Sequence, residues 1–273
     1  MLTPPRSSRP APRITALASL GVLVASLSYA NSVFAQEPTG DEQGARWSVG
    51  VGVLSMQKPY AGMGRDNIAL PVVQFENKYI NLFGPQLEVK LPRWTIGESQ
   101  QIETKWVVKW DGSGYDSSDA KILKGMHDRG GSFWTGPKVE WKTGVVDVSA
   151  QWLADVSGKS NGREANLSLE RTWFIGERLM LTPHIGATLH DKKFVNYYFG
   201  VRPDEALPGR PVYEGKSVTR GEVGVRGIYL FNERHAVLVD VVATSVGNSV
   251  KRSPLVDRSS ENRVIMAYTY RIR

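Results

Sequence analysis

The feature that most constrains this chain is a two-residue alternation of apolar and polar side chains, repeated along most of its length. The last stretch, "ENRVIMAYTYRIR" (261–273), is typical. Val264, Met266, Tyr268, Tyr270 and Ile272 form one row. Arg263, Ala267, Thr269, Arg271 and Arg273 form most of the other, with Ile265 as the exception. Successive strand side chains point to opposite faces, so such a stretch is an amphipathic β-strand. The same reading applies to 101–110, 145–156, 178–190 and 218–230, and helical spacing fits none of them as well. What remains open at this level is whether the apolar row faces a protein core or the inside of a membrane.

The front of the chain bears on that choice. Arg6, Arg9 and Arg13 precede the apolar run "ITALASLGVLVASLSYA" (14–30), and Val33 and Ala35 form a small-x-small site. Basic residues, a short apolar run and small residues at a cleavage position read as a secretory signal peptide at 1–35. Removing those 35 residues leaves 238 of the 273, enough for one large domain. Three arginines and no acid leave with the signal, so the formal charge falls from +7 to +4. No Lys/Arg cluster is interleaved with aromatics, which argues against a nucleic-acid partner. Cysteine is absent. No later apolar run is long enough for a transmembrane helix, so a mature chain in a membrane must span it as a closed barrel.

The connections also alternate in kind. Short turns at 76–78, 142–144, 175–178 and 231–234 are separated by longer loops at 55–66, 111–131, 157–163, 191–217 and 247–260. Short periplasmic turns and long outer loops are the pattern of an outer-membrane barrel. Eleven strands are evident, and splitting 79–91 at Gly84-Pro85 gives twelve, the even number that places both ends in the periplasm. The expectation is an all-β fold: a transmembrane antiparallel β-barrel of 12 strands, closed by pairing of the first and last. It occupies 46–273, behind a flexible polar segment at 36–45. Trp47, Trp141, Trp173, Tyr229, Phe231, Tyr268 and Tyr270 fall near periplasmic strand ends, and Trp110 and Phe133 near outer ends, as aromatic girdles require. Parity turns Glu103, Glu140, Asp147, Asp155, Glu170, Glu222 and Asp240 inward. It does the same for Lys105, Lys109, Lys138, Lys142, Arg220, Arg226, Arg263 and Arg271. The signs nearly balance, which predicts side chains that pair across a narrow lumen. Arg171 falls on the apolar row near a strand end, where it can reach headgroups.

Five strings in this order carry a resemblance. They are "PYAGMG" (59–64), "LKGMHDR" (123–129), "DVSGKSNGREANLSLE" (155–170), "YYFGVRPDEA" (197–206) and "SPLV" (253–256). Together they resemble the MipA/OmpV family of outer-membrane proteins, the MltA-interacting proteins. The resemblance covers nearly the whole mature chain. It singles out the loop positions Pro59, Tyr60, Gly62, Gly125, Met126, Asp128, Tyr197, Tyr198, Gly200, Val201, Glu205, Ser253, Pro254 and Leu255. It implies a monomeric barrel in outer-membrane lipid, without catalytic activity or cofactor. The partners it implies are a lytic transglycosylase and a penicillin-binding synthase, linked by a scaffold. Surface adhesion or antigen roles are also described for members. Barrels of this family usually finish on an aromatic, whereas this chain finishes Tyr270-Arg271-Ile272-Arg273.

Read physically, the motif glycines supply positive φ in tight loops, Ser253-Pro254 starts a turn, and Tyr197 and Tyr198 pack the longest loop over the barrel mouth. A catalytic or metal role finds little support. His184 and His190 point inward, His127 is in a loop and His235 at a turn. The adjacent pairs His190-Asp191 and His127-Asp128 point apart on a strand. Three functions remain: an envelope scaffold, a narrow diffusion channel, or an adhesin using the long outer loops. The 36–45 segment is the scaffold's expected contact, and the 191–217 loop is expected to occlude a channel.

Overall fold

Strands form where the alternation places them. They are β1 (Arg46–Gln57), β2 (Arg65–Glu76), β3 (Ile80–Phe83), β4 (Gln86–Ile96), β5 (Gln100–Asp111), β6 (Ser132–Lys142) and β7 (Asp147–Asp155), followed by β8 (Arg163–Glu170), β9 (Trp173–Ile175), β10 (Leu179–His190), β11 (Val218–Leu230), β12 (His235–Ser245) and β13 (Ser260–Arg271). The computed structural model describes residues 45–97 and 99–272. The expected signal peptide and all of the 36–45 segment except Ala45 lie outside the described residues.

All neighbours pair antiparallel, and the sheet closes on itself. β1 pairs with β13 from Ser48↔Arg271 to Gln57↔Asn262, while β10 pairs with β11 along its full length. β10 has three neighbours. β11 takes one edge, and β8 and β9 share the other, at Glu164–Glu170 and Trp173–Ile175. Their registers lie in line, so β9 continues β8. The break at Arg171–Thr172 faces Pro183, which has no N–H to give the ladder. Twelve staves therefore surround the lumen, as the count from sequence anticipates. Among the described residues no helix is long and apolar enough to cross a membrane.

The split at Gly84-Pro85 is a tight turn with Gly84 at φ +52°. It leaves β3 only four residues long. β2 pairs with β3 over Gln74–Glu76 alone, and β3 with β4 over Gln86–Val89 alone. The rest of β2 and the far half of β4 carry no strand on that side among the described pairings. Pro71 and Pro92 fall on these stretches, and the Val73 carbonyl, two residues from Pro71, reaches Gly84 across the same edge. Proline is tolerated there because no ladder donor is required.

One row of each strand faces outward. Val51, Val53, Leu167, Val223, Val241 and Met266 are all exposed, which is the surface a hydrocarbon solvent demands. Trp47, Trp141, Trp173, Tyr229 and Tyr268 are likewise exposed at their strand ends, and Trp110 packs edge-on to Phe133 at 4.7 Å near the outer rim. Arg171 lies over the Trp173 ring at 5.7 Å.

The inward row departs from the expectation in one respect. It is charged along β4 to β8, but on β10 to β13, β1 and β3 the inward charges share the wall with an apolar cluster of Leu54, Met56, Phe83, Met180, Ile228, Leu238 and Ile265. Ile265 is thus one of a group, not an isolated exception. Apolar side chains can line a lumen when it is narrow enough for them to pack against one another instead of meeting water.

Closure has a direct check. Val53 and Met266 are directly opposed on the outward face of β1 and β13, and the chain has no native cysteine. Val53→Cys with Met266→Cys should give spin-label distances of adjacent strands, with Cβ atoms about 5 Å apart. Distances typical of opposite walls would mean an open sheet. On the same wall, Val51→Lys near mid-strand should cost about 2–4 kcal/mol in reversible folding into lipid.

Candidate functional site

Ion pairs line the inner face of the wall. Lys105 Nζ is 2.5 Å from Glu140 and 3.5 Å from Glu88, and Lys138 Nζ is 2.5 Å from Glu140 and 3.0 Å from Glu88. Lys142 bonds Glu103 at 2.9 Å. Higher up, Lys109 on β5 meets Glu164 on β8 at 2.5 Å. Arg226–Glu170 and Arg263–Asp240 each approach to 3.9 Å, and Arg220 pairs with Glu261. Lys138, Glu88, Arg226 and Asp240 are almost wholly buried. Charges so removed from water persist only with partners of opposite sign. Parity identified most of the members. It missed Glu88, Glu164 and Glu261, because the broken strand at 79–91 hid one register and the others sit at strand ends where inward and outward are not evident from sequence.

Above the ion pairs the long outer loops fold into a packed cap. Its helix α1 (Lys192–Phe199) begins at Asp191, whose carboxylate accepts the Phe194 N–H at 2.9 Å. That N-cap is what Asp191 does beside His190, and His190 stacks on Phe194 with centroids 4.0 Å apart. α1 buries Phe194, Val195, Tyr198 and Phe199 and leaves Lys192 and Lys193 exposed. The buried face packs against Tyr60, Met63, Tyr115, Leu123, Met126, Trp134 and Leu255, drawn from three other loops and the barrel wall. A short second helix, α2 (Asn248–Lys251), adds Val250.

Every motif position named from the resemblance falls in this cap or its anchor points. Tyr60 donates its hydroxyl to the Tyr198 carbonyl at 3.0 Å. Ser253 donates to the Phe199 carbonyl at 2.7 Å, and the Leu255 carbonyl accepts from Ala61 N–H at 2.8 Å. The Pro59 carbonyl accepts from Asp257, and Pro254 lies between Ser253 and the fully buried Leu255. Asp128 accepts the Ser117 N–H at 2.7 Å, Val201 pairs with Tyr213, and Gly200 caps the C-terminus of α1. Gly62 and Gly125 take positive φ, at +72° and +79°, but Gly200 does not: its φ is −77°, and it is needed because a Cβ there would lie 2.3 Å from the Asn196 carbonyl oxygen. Gly114 was not singled out in sequence, yet a Cβ there would lie 1.9 Å from the Arg129 carbonyl oxygen.

At the centre of the cap lies a buried ion pair. Arg129 Nη2 donates to Glu205 Oε1 at 2.6 Å, Nε to the Tyr197 carbonyl at 2.8 Å, and Nη1 to the His127 carbonyl at 3.0 Å. Glu205 also accepts the backbone N–H groups of His127 and Arg202, each at 3.0 Å. Burial pushes the Glu205 carboxyl up, but these donors outweigh it and hold it below the usual glutamate value. Arg210 ties two loops together, donating to the carbonyls of Ile122, Lys124 and Glu205. Burial pushes the Tyr115 phenol up to about 12 and raises Tyr60 and Tyr198 as well, so all three remain protonated. His127 partners Asp204, at 2.8 Å, and not its neighbour Asp128. That pair is exposed and contributes little to stability. Among the described residues no group of His, Asp and Glu has a metal-binding arrangement.

A family model described as MltA-interacting protein MipA matches residues 49–272. The chain is similar to the putative outer membrane protein YiaT of Escherichia coli (strain K12), 24% identical over 231 residues that cover 82% of this chain and 90% of that one. It is similar to outer membrane protein OmpV of Vibrio cholerae, 25% identical over 150 residues, covering 55% and 58%. Among solved structures, the outer membrane channel DcaP of Acinetobacter baumannii aligns over 84% of this chain and 96% of its own, with 9% identity and a TM-score of 0.40. The NanC porin aligns over 81% and 98%, with 11% identity and a TM-score of 0.40.

The Arg129–Glu205 pair gives a test of the cap. Arg129→Met strands a buried carboxylate and should lower the local stability of 192–217 by about 3–5 kcal/mol, read by amide hydrogen exchange, with the strands of the wall unchanged. The pH dependence follows from the depressed folded pKa. The contribution of Glu205 is complete above its unfolded pKa of about 4.3 and is lost as pH falls through the lower folded value. Cap protection should therefore drop on acidification below that range, and Glu205→Gln should flatten the dependence.

Proposed function

The chain belongs to the MltA-interacting protein MipA family, and from that premise we propose that it works as a closed interaction platform of the cell envelope, not as an open pore. It is an outer-membrane β-barrel. The reading assigns it a scaffold role, holding an MltA-type lytic transglycosylase, the partner in the family's description, near a penicillin-binding synthase.

The observation that carries this reading is the double obstruction of the lumen. The cap covers the outer mouth with a core of its own, and below it the Lys105–Glu140–Lys138–Glu88 cluster lies buried on the inner face of β4 to β6. A diffusion channel needs a continuous wet path, and inward ion pairs shut off from water leave little room for one. Function then falls to the surfaces. The turns that face the periplasm are short, so the segment before β1, residues 36–45, is the contact for an enzyme on that side. No catalytic group is required by this reading.

Two measurements test it. Purified protein in a planar bilayer should show no steady conductance; a stable open pore would overturn the platform reading in favour of a channel. Tagged protein extracted from the outer membrane should retain a lytic transglycosylase, and deleting 36–45 should abolish that retention while leaving the barrel folded. Retention unaffected by the deletion would move the contact elsewhere, and no retention would remove the scaffold role.

A further inference from the structure

Between the cap and the lumen's ion pairs lies a cavity of about 120 Å³ that the platform reading does not use. Its upper wall includes Tyr60, Phe194, Tyr198 and Phe199. Four aromatic side chains on one side of a small cavity give it an apolar, polarisable surface that favours cations over anions.

The opposite wall is ionic, and its four cations and four carboxylates do not pair off one to one within the cavity. Lys109 is taken by Glu164, and Arg220 by Glu261. The other two cations turn to acids outside the lining: Lys58 to Asp66 at 3.5 Å, and Arg263 to Asp240 at 3.9 Å. Asp111 and Glu222 form no ion pair of their own and share the charge of Lys109, which Glu164 already holds. Asp111 is buried and accepts a hydrogen bond from the Ser113 N–H at 2.7 Å. Glu222 makes no hydrogen bond or ion pair with a described residue, although it feels the charges of Lys109 and Arg263.

His190 extends the aromatic wall. Its ring lines the cavity and stacks on Phe194 with centroids 4.0 Å apart, while its Nδ1, 3.9 Å from Glu164, is shut off from the cavity. One chemical class answers both features: an ammonium supplies positive charge for Asp111 and Glu222, and its body covers the aromatic wall.

We propose that this cavity is a binding site for a small organic cation, a primary amine on a short aromatic or alkyl body. Benzylamine is the probe of matching size and charge, with benzyl alcohol and benzoate as neutral and anionic counterparts. The readout is methyl NMR of methionine-labelled full barrel in detergent. Met56 lines the cavity, Met180 belongs to the same apolar cluster but does not line it, and Met266 faces outward. Benzylamine should shift the Met56 signal saturably and leave Met180 and Met266 in place. Benzyl alcohol and benzoate should not saturate in the same range. Glu222→Gln should weaken the amine by roughly tenfold or more, in protein whose remaining methyl signals match the wild type. Equal binding of the alcohol would make the cavity merely apolar and overturn the assignment. Shifts confined to Met266 would mean partition into detergent, and an unsaturated Met56 response would mean no site; either overturns it. If Glu222→Gln does not fold, the three probes on wild-type protein still decide.

Discussion

The whole molecule depends on hydrogen-bond closure of its wall. In hydrocarbon no water is available to an unpaired N–H or C=O, so a strand can remain there only between two neighbours. The pairing of β1 with β13 over ten residue positions satisfies this where the chain's two ends meet. The wall is least regular around β3, where the neighbouring edges carry Pro71 and Pro92. A residue without an N–H reduces what such an edge leaves unsatisfied.

Closure also fixes what the interior must be. Twelve staves around one lumen set the inward rows face to face, and the chain fills the space in two ways. On β10 to β13, β1 and β3 a cluster of apolar side chains packs as it would in a soluble core. All round the wall, β11 to β13 included, lysines and arginines are threaded among carboxylates, several pairing across intervening strands, as Lys109 does with Glu164. Such pairs add less to stability than their number suggests, since desolvation offsets much of the attraction. What they confer is rigidity of the wall beneath the cap, because breaking any one leaves a bare charge in a dry place.

The cap is a second, smaller core built on that wall. Its loops are held by long-range contacts, with Arg129 and Arg210 each spanning segments more than sixty positions apart in sequence. Loops ordered in this way suit recognition better than permeation, and the platform reading and the amine-binding cavity both rest on that order. They are separable, since one concerns surfaces and the other the enclosed space.

Residue order alone determined the strands, the faces they present and the even count of staves. These depend on local alternation, on turn residues such as Gly84-Pro85, and on what each face can tolerate in lipid. The inward charges of β5 and β6 were legible for the same reason, and the motif strings were legible as loops. Tertiary structure decided the rest. Parity says that Lys109 points inward but not that it meets Glu164, because that depends on strand stagger summed over three neighbours. Nothing local told that Ile265 would join an apolar cluster, that Asp191 would cap a helix, or that His127 would find Asp204. Nor did it show that motif residues from different loops would converge on one cap around Arg129 and Glu205. Those outcomes follow from which loops the closed barrel brings to the same rim, a fact of circumference that no single stretch of sequence contains.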